Sequence, residues 1–244
     1  MPPSDAAPPS DSAHRPGRHR RTGARRARWA AATVAAAGLT VGGTLYAQAA
    51  TVTAAAASCS DVDVSFARGT GELPGVGIVG SPFTKAVASD LPGRTVTVYA
   101  VDYAADYAQS SAGAGATDMS KHITSLAARC PDTLFVIGGY SQGASVTDIA
   151  TGMKTGLGSG TAIPASLAPR VAAVVTFGNP VHLTGRSIES GSPAYAPKWD
   201  DFCASGDPVC GGGANGAAHI AYLSNGDTEA GAQFAAEHVL ALKN

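Results

Sequence analysis

Gly139-Tyr140-Ser141-Gln142-Gly143 is the stretch of this chain whose residue types and spacing suit covalent chemistry. The pentapeptide is a G-x-S-x-G, with the apolar run Leu134 to Ile137 before it and a helix-like segment, Gln142 to Met153, after it. In a chain with 30 glycines the pattern alone is cheap, and a Gly-rich turn with an N-cap serine would read the same way. Its context is more demanding. Strand, sharp turn and helix form the setting of a nucleophile elbow, in which the serine occupies a strained turn and exposes its hydroxyl. Flanking glycines keep side chains out of the close strand–helix approach. The turn also sets the Gln142 NH at a helix N-terminus, where it can face a developing oxyanion.

A serine nucleophile needs a base and a group to orient that base, and on a strand–turn–helix scaffold they follow in the chain order serine, acid, histidine. Asp207 comes just after the last apolar run, and His219 follows twelve residues later. His122 competes for the base role but lies within a helical pattern, His182 precedes the acid, and His238 falls in the terminal helix. The set is therefore Ser141, Asp207 and His219, with His219 as base and Asp207 holding its tautomer. A second oxyanion donor should come from a loop after an early strand. Phe66-Ala67-Arg68-Gly69-Thr70-Gly71-Glu72 is so placed, and the Thr70 NH, with its hydroxyl, is the candidate beside Gln142. As a phosphate loop the same glycines fail, because no G-K-[ST] follows.

These residues need elements to carry them. Short valine-rich runs recur at Val62 to Phe66, Val96 to Val101, Leu134 to Ile137, Val171 to Phe177 and, more weakly, Trp199 to Cys203. They read as strands buried on both faces of a parallel sheet. Helical patterns lie between and after them at Pro82 to Ser89, Thr117 to Arg129, Gln142 to Met153 and Thr228 to Leu242, the last capped by Asp227. The alternation predicts an α/β sandwich with helices on both faces. Three long irregular stretches, 102–116, 178–198 and 211–224, carry Tyr103, Tyr107, Val181, Leu183, Ile188, Tyr195, Ile220, Tyr222 and Leu223, and suggest an apolar rim at the strand ends.

The first 58 residues read as a leader, and residues 59–244 as one domain. Seven arginines fall in 1–28, an apolar run from Trp29 to Val41 follows, and Ala47-Gln48-Ala49 supplies a small-residue cleavage site. The apolar run is shorter than the roughly 20 residues of a membrane span, so export is expected over a retained anchor. Beyond residue 50 there are 10 Lys and Arg against 16 Asp and Glu, a net −6. Such a balance offers no footprint for nucleic acid or an anionic membrane. Four cysteines in an exported chain read as two disulfides. Cys203 and Cys210 flank a turn and pair, which leaves Cys59 with Cys130; the spacings fit no zinc site.

The set Ala-Arg-Gly-Thr-Gly-Glu, Gly-Tyr-Ser-Gln-Gly, Thr-Phe-Gly-Asn-Pro and a Cys-x6-Cys enclosing Gly-Asp-Pro-Val, followed by His219, resembles the cutinase family, in particular its actinobacterial members. The resemblance covers 59–244. It implies a three-layer α/β/α hydrolase with a five-stranded, mainly parallel sheet and no lid, hydrolysing cutin-type polyesters, triglycerides or short acyl esters. It also implies a secreted enzyme, without metal or organic cofactor, whose partner is an ester or polyester; a monomer is expected. The 65 residues between Ser141 and Asp207 leave little room for a lid. Thr70 departs from the serine of fungal cutinases, so the resemblance supports its NH more than its hydroxyl as the oxyanion donor. Acetylxylan esterases share the same framework and are the alternative, and a catalytically silent surface-binding protein is the alternative of another class.

Overall fold

A computed structural model describes residues 59–242; the leader expected over 1–58 lies outside the described residues. Five strands, β1 (Val62–Ala67), β2 (Val96–Ala100), β3 (Leu134–Tyr140), β4 (Val171–Phe177) and β5 (Trp199–Phe202), form one sheet in the order β2-β1-β3-β4-β5. Every pairing is parallel, so the sheet is wholly and not merely mainly parallel. Its inner strands β1 and β4 are buried at every residue. Alternate side chains serve two cores. Val62, Val64, Phe66, Val136, Val175 and Phe177 pack under α1 (Gly77–Asp90) and α5 (Asp227–Leu242). On the opposite face Phe135, Ile137 and Val174 meet α2 (Ala112–Arg129) and α3 (Gln142–Ala150). The result is the three-layer α/β/α arrangement. A single turn of helix, α4 (Ile188–Gly191), lies in the connection to β5.

Helix starts depart from the sequence reading for two reasons. Helix α1 begins before Pro82, because the Glu72 carboxylate accepts from the Ile78 NH at 2.8 Å and satisfies a first-turn donor. Helix α2 begins at Ala112, inside a Gly-Ala run read as loop. There close packing outweighs weak propensity: a methyl at Gly113 would lie 2.0 Å from the Ser159 carbonyl oxygen, and one at Gly115 would lie 2.8 Å from Val146. At α5, Asp227 is the first helical residue rather than the cap, and the Asn225 side chain accepts from its NH at 3.1 Å. The disulfides are Cys59–Cys130, tying the entry to β1 to the end of α2, and Cys203–Cys210, closing the turn after β5.

The chain leaves β1 toward β2 on one side and continues from β3 to β4 on the other, so the strand order reverses between β1 and β3. Loops leaving the C-terminal ends of strands diverge at such a point and open a crevice. The loop 68–72 after β1 and Ser141 after β3 flank that crevice.

Candidate active site

Ser141 sits between β3 and α3 with φ 56 and ψ −118, a backbone that non-glycine residues rarely adopt. Both neighbouring glycines are required there. A methyl at Gly139 would lie 2.0 Å from the Gly143 carbonyl oxygen, and one at Gly143 would lie 2.0 Å from that of Ala67. The strained turn is anchored across the sheet, since the Ser141 NH donates to the Phe177 carbonyl at 2.9 Å.

The turn brings Ser141 Oγ to 2.9 Å from His219 Nε2, and His219 Nδ1 lies 2.9 Å from Asp207 Oδ2. With Nδ1–H donating to the carboxylate, Nε2 is free to accept from the serine hydroxyl. His219 rides on a 3-10 segment, Gly216–Leu223, within the stretch expected to be irregular. Tyr140 steadies it by donating to the His219 carbonyl at 2.6 Å. Asp207 is fully buried. Burial alone would push its carboxyl up, but bonds from Tyr222 and His219 and the Val209 NH outweigh that and hold it below the ordinary value. The Tyr222 hydroxyl donates to Oδ2 at 2.6 Å and the Val209 NH to Oδ1 at 2.8 Å. The other histidines among the described residues are engaged elsewhere. His122 pairs with Asp63 at 3.0 Å and stacks on Tyr99, His182 pairs with Asp201 at 2.6 Å, and His238 Nδ1 donates to the Phe234 carbonyl at 2.9 Å.

Thr70 and Gln142 also meet here. The loop 68–72 is folded by its own charged residues: Glu72 accepts from the Gly69 NH at 2.5 Å, and buried Arg68 donates to the carbonyls of Glu72, Val101 and Tyr103. The NH groups of Gly69, Gly71 and Glu72 are all engaged, while the Thr70 NH has no acceptor among the described residues. Gln142 heads α3, so its NH is one of the free first-turn donors. The Thr70 hydroxyl lies 3.5 Å from Gln142 Oε1 and accepts from Gln109 Nε2 at 2.7 Å. The sequence reading missed Gln109, which holds φ +59 in the loop before α2.

A cleft of about 250 Å³ opens at the serine, lined by Gln109, Ala112, Ser141, Ser145, Leu157, Pro180 and Val209. The apolar rim differs in part from expectation. Tyr107, Leu183, Ile220 and Leu223 are exposed, but Tyr103, Val181, Tyr195 and Tyr222 are buried. Leu73 and Ile78 join the exposed set and, with Pro74, Pro82 and Leu223, line a second groove of about 780 Å³ beside the Thr70 loop. Among the described residues no group of three or more His, Cys, Asp or Glu is arranged to hold a metal.

The chain is similar to known proteins. A Cutinase family model matches residues 58–239. A Cutinase of Kineococcus radiotolerans is 59% identical over 185 residues, covering 74% of this chain and 62% of that protein, so the chain spans less than two thirds of that relative's length. Carboxylesterase Culp1 of Mycobacterium tuberculosis is 42% identical over 188 residues, 74% of this chain and 82% of its own. The solved structure of an acetyl xylan esterase, as an iodinated complex, superposes with a TM-score of 0.66 at 27% identity, covering 75% of this chain and all of the other. With an elbow serine at the strand-order reversal and a family match over most of its described residues, the chain belongs to the cutinase family.

Proposed function

We propose that this protein is a serine esterase that cleaves carboxylic esters through an acyl-enzyme, with Ser141 as nucleophile, His219 as base and Asp207 as the orienting acid. The observation that carries this reading is the continuous pair of 2.9 Å contacts from Ser141 Oγ through the imidazole to a buried carboxylate. As Oγ attacks the ester carbonyl, His219 Nε2 takes its proton, and Asp207 stabilises the imidazolium that forms. The oxyanion is received by the NH groups of Thr70 and Gln142, preorganised by the Glu72 bonds and by the helix start. His219 then returns the proton to the leaving alcohol, and water repeats the sequence on the acyl-enzyme. The cleft beside the serine and the groove beside Thr70, walled by Leu73, Pro74, Ile78, Pro82 and Leu223, favour esters with apolar arms, including polyesters and short to medium acyl esters.

Labelling by a fluorophosphonate, mapped to a single peptide, tests the assignment together with Ser141→Ala. The variant should lose about 10³ to 10⁶ in kcat while its circular dichroism is unchanged. Turnover near wild type in Ser141→Ala would end the proposal. A second reading, deacetylation of xylan, is supported by the likeness to acetyl xylan esterase, and faster turnover of acetylated xylan than of butyrate esters would favour it. We further propose that the leader is cleaved within 1–58 on export and that the domain 59–244 acts as a monomer outside the cell. Mass spectrometry of secreted protein should place its first residue between about 48 and 58, and size-exclusion chromatography with light scattering tests the monomer.

A further inference from the structure

Three consecutive residues at the end of β4, Phe177 to Asn179, tie the parts of the site together. The Phe177 carbonyl holds the Ser141 NH at 2.9 Å. Gly178, at φ +58, lies directly beneath the base: a methyl there would come 2.8 Å from His219 Cε1 and 3.2 Å from Asp207 Oδ2. The imidazole therefore rests against this backbone, and its distance to the serine depends on where Gly178 sits. Two bonds set that position. The Gly178 NH donates to the Phe202 carbonyl at 2.9 Å, and next along the chain Asn179 reaches back to α3, donating from Nδ2 to Asp148 Oδ1 at 3.0 Å. Asn179 Oδ1 also accepts from the Val181 NH at 3.0 Å, so its amide has no freedom to turn.

Asp148 and Asn179 are both fully buried. Asp148 lies two turns along the helix that Ser141 begins, and its Oδ2 has no hydrogen-bond partner among the described residues. A buried carboxylate held by a single donor is costly, whereas a neutral acid accepts from Asn179 with one oxygen and keeps its proton on the other. Burial pushes this carboxyl up to about 8, against the pull of the Asn179 bond. The charged groups that face it are Asp201 on β5, which raises it further, and His182 in the segment after Asn179, which lowers it. His182 is itself bound to Asp201 at 2.6 Å, a bond that raises the value of the imidazole.

We infer that Asp148 and Asn179 form a positioning pair: the neutral acid on the nucleophile's own helix clamps the loop after β4 and so fixes the Gly178 backbone on which His219 rests. The pair touches no substrate. It acts through Gly178, and it rests on the assignment of His219 as base. Ionisation of Asp148 strengthens the single bond from Asn179 but leaves a buried charge whose Oδ2 has no donor among the described residues; the cost of that undonated charge drives the pair to open toward water, a reversible event at alkaline pH.

The test is kcat and KM for a short soluble ester between pH 6 and 10 in wild type, Asp148→Asn, Asp148→Leu and Asn179→Ala, with circular dichroism and melting curves at each pH. Asp148→Asn keeps the neutral donor–acceptor shape, so kcat at pH 7 should stay within about twofold, and the alkaline fall of kcat with midpoint near pH 8 should disappear. Asn179→Ala and Asp148→Leu should lower kcat by about tenfold to a hundredfold, as a displacement of about 1 Å does, with KM little changed. A role confined to stability would lower the melting temperature and leave the pH profile of kcat in place. The inference is overturned if Asp148→Asn retains the wild-type alkaline fall, or if folded Asn179→Ala has wild-type kcat. Should Asp148→Leu fail to fold, the other two variants still decide. Fluorophosphonate labelling at Ser141 separates the outcomes: labelled protein with unaltered profiles refutes the clamp alone, whereas absent labelling refutes the esterase reading beneath it.

Discussion

Replacing Cys203 and Cys210 by serine removes the bridge around Asp207 and yet should leave most of the activity. A loop of eight residues contributes roughly 2.5 kcal/mol in the chain-entropy account. The turn is also held by hydrogen bonds: Asp207 NH to the Ala204 carbonyl at 2.9 Å, Gly211 NH to the Asp207 carbonyl at 3.0 Å, Val209 NH to Oδ1 at 2.8 Å and Tyr222 hydroxyl to Oδ2 at 2.6 Å. At about 1 kcal/mol for each neutral bond and about 2 kcal/mol for each bond to the carboxylate, they supply roughly 6 kcal/mol, more than the bridge. Assayed well below its unfolding transition on a short soluble ester, the serine pair should lose less than about tenfold in kcat/KM, whereas loss of an orienting carboxylate costs about 10⁴. Adding Tyr222→Phe removes a bond to the carboxylate and also the partner of the Ala204 NH, at 3.0 Å, so the combined variant should fall about a hundredfold further. The larger bridge, Cys59–Cys130, spans 71 positions and touches none of the three residues. Its serine pair removes roughly 4.4 kcal/mol, which should lower the melting temperature more and kcat/KM less. A loss above about 10³ in the folded Cys203/Cys210 variant, or no added effect from Tyr222→Phe, would refute the assignment of Asp207's position to this network.

Thr70→Val and Gln109→Ala should each lower kcat by about tenfold with KM unchanged, less than the 10² to 10³ of a whole lost oxyanion donor, because the Thr70 NH remains; unchanged kcat in both would assign the role to the NH alone. Stability should respond to pH in two windows. Asp207, held below its ordinary 3.8, contributes stability at neutral pH that is lost as pH falls through its folded value. Asp148 works in the opposite sense: the folded state keeps a proton that the unfolded chain releases above 3.8, so its contribution declines as pH rises to about 8, and melting curves of Asp148→Asn should lack that decline. Leu73→Ser with Ile78→Ser should slow hydrolysis of an emulsified or polymeric ester several-fold and leave a soluble acetate ester unchanged; equal loss on both would place these side chains in folding rather than in surface contact.

The sequence alone determined what depends on local pattern. Valine-rich runs separated by helical stretches specify a parallel sheet with two covered faces, because only strands buried on both sides can be continuously apolar. The G-x-S-x-G carries its own reason for the turn, since the close approaches at Gly139 and Gly143 admit no side chain. Chain order singled out Asp207 and His219, and cysteine spacing the pairs Cys59–Cys130 and Cys203–Cys210. What the pattern left open were contacts between residues far apart in sequence. Pattern alone places Tyr222 on the rim, among the apolar residues of the irregular stretch 211–224. In the folded chain it lies three residues after His219 on a 3-10 segment, where positions i and i+3 eclipse, so both side chains turn to the same carboxylate oxygen. Gln109 meets Thr70 across 39 positions, and Asn179 meets Asp148 across 31. No periodicity encodes such pairs. They exist because loops from β1, β2, β3 and β4 converge at the same end of a parallel sheet, and a parallel sheet brings the C-terminal ends of all its strands to one edge.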